Sequence, residues 1–192
     1  LRELEEMYLD ASPLTRLPGG IANENVLKKR IESNQPLAFC VMDLDNFKAF
    51  NDRYGYANGS EVIKETAKII EAVVEAKGTS DDFIGHVGGD DYVVITIPDK
   101  MREIAGEIIS RFDRRIPEFY DPIERQQGYI IGKTRQGIEI RFPIMSISIA
   151  IVTNDRQKLT TTLQVSEIAA ELKDYAKTIA KSVLIVDKRR NA

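Results

Sequence analysis

Between Asp82 and Ile97 the chain carries two apolar runs, Asp82-Phe83-Ile84-Gly85-His86-Val87 and Tyr92-Val93-Val94-Ile95-Thr96-Ile97, separated by Gly88-Gly89-Asp90-Asp91. Aromatic and β-branched residues on both sides of paired glycines predict a β-hairpin. Such a hairpin commits the chain to a sheet that can receive both strands. Its tip carries two adjacent carboxylates, which raise each other's pKa unless a cation lies between them. The tip is therefore either a ligand site or a solvated Asp-rich turn, since Gly and Asp are ordinary turn residues. The rest of the chain has to decide.

Residues 37–42, Leu-Ala-Phe-Cys-Val-Met, form a continuous apolar run, the pattern of a strand covered on both faces. Helical spacing predicts helices over residues 1–9, from Glu24 to Ser33 behind an Asn23 cap, over Ala49–Gly55, Ser60–Lys77, Met101–Ile116 and Leu163–Lys181. Residues 117–141 are polar and irregular and read as a β-excursion feeding a strand from Pro143 to Val152; a last strand covers Val183–Val186. The order α-β-α-α-β-β-α-β-α-β predicts an α+β fold. Its mixed central β-sheet of about five strands would carry helices on its faces, close to a ferredoxin-like β-α-β-β-α-β core. One domain is expected over 12–192, preceded in 1–11 by the end of a helix cut from a longer protein and able to pair with a copy of itself.

Composition narrows the chemistry. A net charge of −3 without a Lys/Arg stripe argues against a nucleic-acid partner. A single Cys, Cys40, rules out a disulfide within the chain, and a single His, His86, argues against a His-based zinc site or a Ser-His-Asp triad. Both are expected as ordinary core or strand residues. No apolar run approaches the ~20 residues of a membrane span, so no direct membrane contact is expected.

Asp43 and Asp45 close the buried strand and, by strand alternation, face the same way. If that strand lies beside the hairpin, Asp43 and Asp90 converge. Paired carboxylates with no neutralising Lys nearby suit Mg²⁺, which takes one or two carboxylates and completes its shell with water and phosphate oxygens. A helix starting near Asn46 would offer free backbone N–H groups to those phosphates. The combination points to metal-assisted phosphoryl or nucleotidyl transfer.

These residues resemble the GGDEF family, the nucleotide-cyclase-like domains that make cyclic di-GMP from two GTP. The hallmark turn is Gly88-Gly89-Asp90-Asp91-Tyr92, and the family segment Asp-x-Asp-x-Phe-Lys-x-x-Asn-Asp-x-x-Gly is matched from Asp43 to Gly55. Leu14-Thr15-Arg16-Leu17-Pro18, Ser146-Ile147-Ser148-Ile149-Ala150 and Ala176-Lys177 match further family positions, while residues 120–141 are longer than usual. The resemblance implies a palm-type core and a cytoplasmic domain acting as a homodimer under an upstream sensor or receiver domain. Mg²⁺ or Mn²⁺ would sit on Asp43, the Leu44 carbonyl and Asp90. Asp90 and Asp91 would help take the proton from a GTP 3′-hydroxyl. Asn46 and Phe47 would hold phosphates through their N–H groups, Asn51 and Ser60 would contact the base, and Lys177 and Lys181 would reach the triphosphate.

Several positions depart from the family pattern. Asp91 replaces Glu and is one methylene shorter; a displacement of ~1 Å at a catalytic carboxylate can cost on the order of 100-fold in rate. A catalytically silent domain that binds GTP or a dinucleotide is therefore the alternative reading. Ser60 replaces an Asp that accepts from guanine, as in a branch resembling hybrid cyclases that make cyclic GMP-AMP. His86 replaces Arg, Ser12 an acid, Gly19-Gly20 an Asn-Arg pair and Lys181 an Arg. Thr79 stands where the Arg of the product-binding Arg-x-x-Asp pair would be, with Asp82 as its acid. The 120–141 insert is expected to be a tolerated loop.

Overall fold

The computed structural model describes residues 1–190. Its centre is a five-stranded sheet formed by β1 (Ala38–Asp45), β2 (Phe83–Gly88), β3 (Asp91–Thr96), β6 (Ser146–Thr153) and β7 (Val183–Val186), in the order β2-β3-β1-β6-β7. Neighbours are antiparallel except β6 and β7, which run parallel, so the sheet is mixed as expected. The first four strands have the ferredoxin-like arrangement. α1 (Arg2–Tyr8) and α2 (Gly20–Glu32) precede the strands, and α3 (Phe47–Tyr54), α4 (Tyr56–Lys77), α5 (Pro98–Arg115) and α7 (Thr162–Ala176) run between them. Among the described residues no helix is long and apolar enough to cross a membrane.

β1 is the middle strand, and its continuous apolar run follows from that position. Cys40, Met42 and Leu44 pack with Phe50, Val62, Ile70, Ile104, Ile108 and Phe112 of α3, α4 and α5 on one face. Leu37 and Phe39 pack with Leu27, Ile31, Val165 and Ala169 of α2 and α7 on the other. Alternation places Asp43 and Asp45 on the α2/α7 face, at the end of the strand where helix cover gives out. Burial pushes the Cys40 thiol up to about 12, so it is an inert core group.

Several expected boundaries move. Asn23 is not a cap: α2 starts at Gly20, and the Asp10 carboxylate accepts from Ile21 N (2.6 Å) and Gly19 N (3.3 Å) at the helix start. The cap thus comes from the end of the preceding segment rather than from the helix itself. α4 begins directly after Gly55 (φ 88°), which leaves Ser60 in its second turn. α7 ends at Ala176, and residues 177–182 form bends before β7, so Lys177 and Lys181 do not share a helix.

The 120–141 insert is built rather than loose. It contains a short helix α6 (Pro122–Gln127) and a separate two-stranded sheet of β4 (Tyr129–Lys133) and β5 (Glu139–Pro143). The expected strand over 143–152 breaks because Met145 N donates to the Tyr120 hydroxyl (2.9 Å), turning the backbone out of the β5 ladder before β6 starts. Tyr120 meets both Phe50 and Tyr54 edge-to-face, and those two rings are tilted by 30° to each other, making one aromatic cluster. Glu124 of α6 accepts from Arg53 Nε (2.7 Å) and from the Tyr54 hydroxyl, clamping the insert to α3. Removing a hydrogen-bonded charge of this kind costs ~1–3 kcal/mol. Glu124→Ala is expected to lower stability by that amount, and hydrogen exchange should show amides of 121–143 opening while those of β1 stay protected.

Candidate active site

The register of the sheet assembles the acidic cluster. Asp43 on β1 pairs directly with Asp91 on β3, and both side chains lie on the α7 face. The β2–β3 connection has Gly89 and Asp90 as its two loop residues, with Gly89 at φ 41°, a conformation that glycine adopts at no steric cost. Asp90 thereby turns back toward the strand ends. Ligand oxygens of Asp43, Asp90 and Asp91 all lie within 4.8 Å of one another. The predicted convergence of Asp43 and Asp90 is what the structure shows, with Asp91 included.

The electrostatics follow from that crowding. Burial, and then a hydrogen bond and repulsion from Asp43, push the Asp90 carboxyl up to about 7. Asp91 is also raised, by burial and by Asp43, with Lys173 opposing the shift. The expectation of no neutralising lysine is overturned. Lys173 Nζ lies 3.4 Å from Asp91 Oδ1 and 3.7 Å from Asp43 Oδ2. Lys177 Nζ lies 3.1 Å from both Asp43 Oδ2 and Asp45 Oδ1, and 3.4 Å from the Leu44 carbonyl. Burial alone would lower the Lys177 pKa, but Asp43 and Asp45 outweigh it and raise it. These two cations come from the C-terminal end of α7, far from β1 in sequence.

Asp45 has a different task. It accepts from Ser146 Oγ (2.6 Å) and Ser148 Oγ (2.8 Å) on β6, so its oxygens are engaged along the sheet rather than at the cluster. Asp43, Asp90 and Asp91 form a set of hard oxygen donors, and the Leu44 carbonyl lies near it, 3.4 Å from the same Lys177 Nζ that meets Asp43. That donor chemistry fits a small divalent cation such as Mg²⁺ or Mn²⁺.

A cleft of about 680 Å³ opens beside the acids, lined by Asp43, Leu44, Asn46, Phe47, Lys48, Asp90 and Lys177 on one side. Its other wall is Ile131, Gly132, Lys133 and Phe142 of the β4–β5 hairpin, so the insert shapes the site instead of standing aside as a tolerated loop. Asn46 takes a left-handed conformation (φ 64°) that turns the chain sharply from β1 into α3. The first N–H groups of α3, Phe47 onward, therefore begin at the cleft, where anions are favoured.

The remaining expected residues lie elsewhere. Neither Asn51 nor Ser60 lines the cleft, and Gly59 packs so closely on Asn51 that a Cβ there would lie 1.8 Å from Asn51 Oδ1. Asn51 Oδ1 is buried with no hydrogen-bond partner against Gly59, the residue before the half-buried Ser60. Lys181 is exposed in the bend after α7 and, among the described residues, has no ion pair with the cluster. Lys173 was missed by the sequence reading, and only its spacing of one helical turn before Lys177 could have suggested it.

A pH dependence follows. The folded, metal-free protein holds a proton on Asp90 that the unfolded chain gives up at a much lower pH. The folded state thus binds more protons, and stability falls as pH rises through about 7. The melting temperature without metal is expected to drop between pH 6 and pH 8, and the rise produced by Mg²⁺ or Mn²⁺ should be larger at pH 8. Asp90→Asn should flatten both responses in a thermal-shift titration.

A family model described as "Diguanylate cyclase, GGDEF domain" matches residues 10–172. A signaling protein of Caulobacter vibrioides is 30% identical over 126 residues, covering 59% of this chain and 15% of that protein. A diguanylate cyclase of Vibrio cholerae is 33% identical over 81 residues, covering 41% of this chain and 24% of that protein. The chain thus spans less than a quarter of the length of these relatives. Among solved structures, the GGDEF domain of TpbB (YfiN) from Pseudomonas aeruginosa superposes with a TM-score of 0.63 at 23% identity, over 92% of this chain and 93% of that one. The GGDEF domain of DgcB from Caulobacter crescentus, in complex with c-di-GMP, gives 0.65 at 17% identity, over 93% and 95%. These likenesses reach the fold, the family model reaches the motifs as well, and the chain is a member of the GGDEF diguanylate cyclase domain family.

Proposed function

We propose that this domain is one half of a Mg²⁺- or Mn²⁺-dependent diguanylate cyclase, in which two copies, each holding a GTP, face each other to form cyclic di-GMP. The observation that carries the reading is the convergence of Asp43, Asp90 and Asp91 at the mouth of an anion-compatible cleft. Asp43, Asp90 and the Leu44 carbonyl would hold the cation, which, when bound, neutralises phosphate charge and acidifies a nearby hydroxyl. The α3 N–H groups at Asn46 and Phe47 would bind phosphate oxygens, and Lys177, with Lys173, would turn from the carboxylates to the triphosphate. Asp90 or Asp91 would accept the proton as a 3′-oxygen attacks the α-phosphorus of the GTP on the other copy. That attack forms a phosphodiester bond and releases pyrophosphate, and repetition in the opposite sense closes the ring.

Asn51 and Ser60 would read the purine. A serine can donate or accept, so it tolerates adenine as well as guanine. Asp82 is occupied locally, accepting from Thr79 N (2.9 Å) and Thr79 Oγ1 (2.6 Å), which gives no support to product inhibition through that pair. Under this reading the domain works in the cytoplasm, where GTP is available, and takes its signal from a sensor or receiver domain through α1.

A second reading has one observation behind it: Asp91 is short and faces Lys173, so the acidic turn can serve as a silent GTP-binding module. Product analysis on a forcibly dimerised protein with GTP and Mg²⁺ separates the two. The cyclase reading expects cyclic di-GMP, lost on Asp90→Asn and faster with Asp91→Glu, by up to ~100-fold if the missing methylene displaces the carboxylate by an ångström. GTP binding without product in the wild type, with turnover appearing in Asp91→Glu, would establish the silent module instead. With ATP and GTP together, mixed dinucleotide should form and should disappear in Ser60→Asp; cyclic di-GMP alone would remove the relaxed role of Ser60.

A further inference from the structure

His86 is a buried strand residue, as its place in the sequence predicts, and its ring also lies at the junction of two segments. It is buried on β2, stacked on Tyr92 with ring centroids 4.9 Å apart and planes at 15°. Its Nε2 lies 2.7 Å from the Gly89 carbonyl oxygen. A carbonyl can only accept, so Nε2 carries the proton, and in the neutral ring Nδ1 is left as the acceptor. Two hydroxyls meet it: Ser12 Oγ at 2.8 Å and Thr15 Oγ1 at 3.1 Å. The His86 backbone N also donates to Pro18 O (2.9 Å).

Both ends of this bridge matter. The Gly89 carbonyl belongs to the peptide unit that supplies the Asp90 amide, so holding that oxygen fixes the plane from which Asp90 departs. Gly89 at φ 41° has no side chain to restrain it, and the β2–β3 ladder is already irregular between His86 and Gly88. Ser12 and Thr15 belong to the tight loop just after α1. That loop is closed on itself by Ser12 N to Leu17 O (2.8 Å) and Arg16 N to Ser12 O (2.8 Å). Asp10, at the start of the same loop, is tied to the beginning of α2.

We propose that His86 is a positioning residue that orients the Gly89–Asp90 peptide, and with it the acidic cluster, against the Ser12–Thr15 loop. The imidazole is a rigid strut between the segment that follows α1 and the turn that bears Asp90. Its effect on turnover rests on the cyclase reading above; its effect on cation affinity does not.

The test uses four variants of the whole chain in parallel: His86→Ala, His86→Gln, His86→Asn and the double change Ser12→Ala with Thr15→Val. A glutamine amide reaches about as far as Nε2 and can still donate to the Gly89 carbonyl, whereas asparagine reaches only as far as Nδ1. Mn²⁺ affinity is measured by electron paramagnetic resonance, and product formation from GTP is measured on the dimerised protein. Mn²⁺ affinity should fall roughly tenfold in His86→Ala and His86→Asn and recover in His86→Gln. The turnover number should follow the same order, by up to ~100-fold for a displacement of an ångström, with KM little changed. The Ser12/Thr15 double variant should show a smaller loss in the same direction, and adding it to His86→Ala should cost nothing further. Equal behaviour of the Gln and Asn variants, or undiminished Mn²⁺ affinity in His86→Ala, would overturn the proposal, as would a wild type that binds no Mn²⁺. A wild type that makes no product but shows the expected order of Mn²⁺ affinities would sink the cyclase reading and leave the positioning role standing. Should His86→Ala fail to fold, the Gln and Asn comparison decides.

Discussion

Three carboxylates with oxygens within 4.8 Å of one another repel, and only the backbone can keep them there. Here the backbone does so by the opposition of Asp43 and Asp91 across two neighbouring strands and by a glycine that folds Asp90 back over them. The rest of the molecule serves that arrangement. β1 is rigid because helices cover both its faces, and its register with β3 and β6 extends over nearly its whole length. Burial and this repulsion raise the Asp90 pKa, and the repulsion is offset by Lys173 of α7 and by Lys177 just past its end.

The sequence made the strands and the acids legible because their signals are local. Alternation, the apolar run at 37–42 and the Gly-Gly pair each act within a few residues, and together they predicted both the sheet and the meeting of Asp43 with Asp90. What escaped depends on partners remote in sequence. The end of α7 is one case: residues 177–182 contain neither Gly nor Pro, and the helix stops there because the chain must turn into β7 beside β6. The contact of Lys173 with Asp91 escaped for the same reason, since only the fold brings the two together. The helix in the insert was readable and was missed. Asp121 caps it, accepting from Glu124 N (2.9 Å), Pro122 opens it and Gly128 (φ 84°) closes it, a start and stop pattern of ordinary kind.

The departures from the family pattern are not independent of one another. Ser12 and His86 look like two separate losses of charge when read along the chain, yet their side chains touch in the folded protein. A hydroxyl and an imidazole thus join the loop to the strand at one place, so the two positions have to be read as a pair. Asp91 and Lys173 are likewise in contact, so the shorter acid has to be judged together with the cation facing it.

Lys173 of α7 and Lys177 just past its end give the cleft a further property. While they sit on the acids, the site is an internal salt, closed on itself and close to charge balance. Under the proposed function, a metal ion taking over the carboxylates would leave the displaced ammonium groups partly buried and without counter-ions. A polyphosphate arriving alone would meet the opposite difficulty, because the lysines that would receive it are paired with aspartates. Cation and polyanion would then relieve each other's electrostatic cost, and the cleft would take up the two together more readily than either alone.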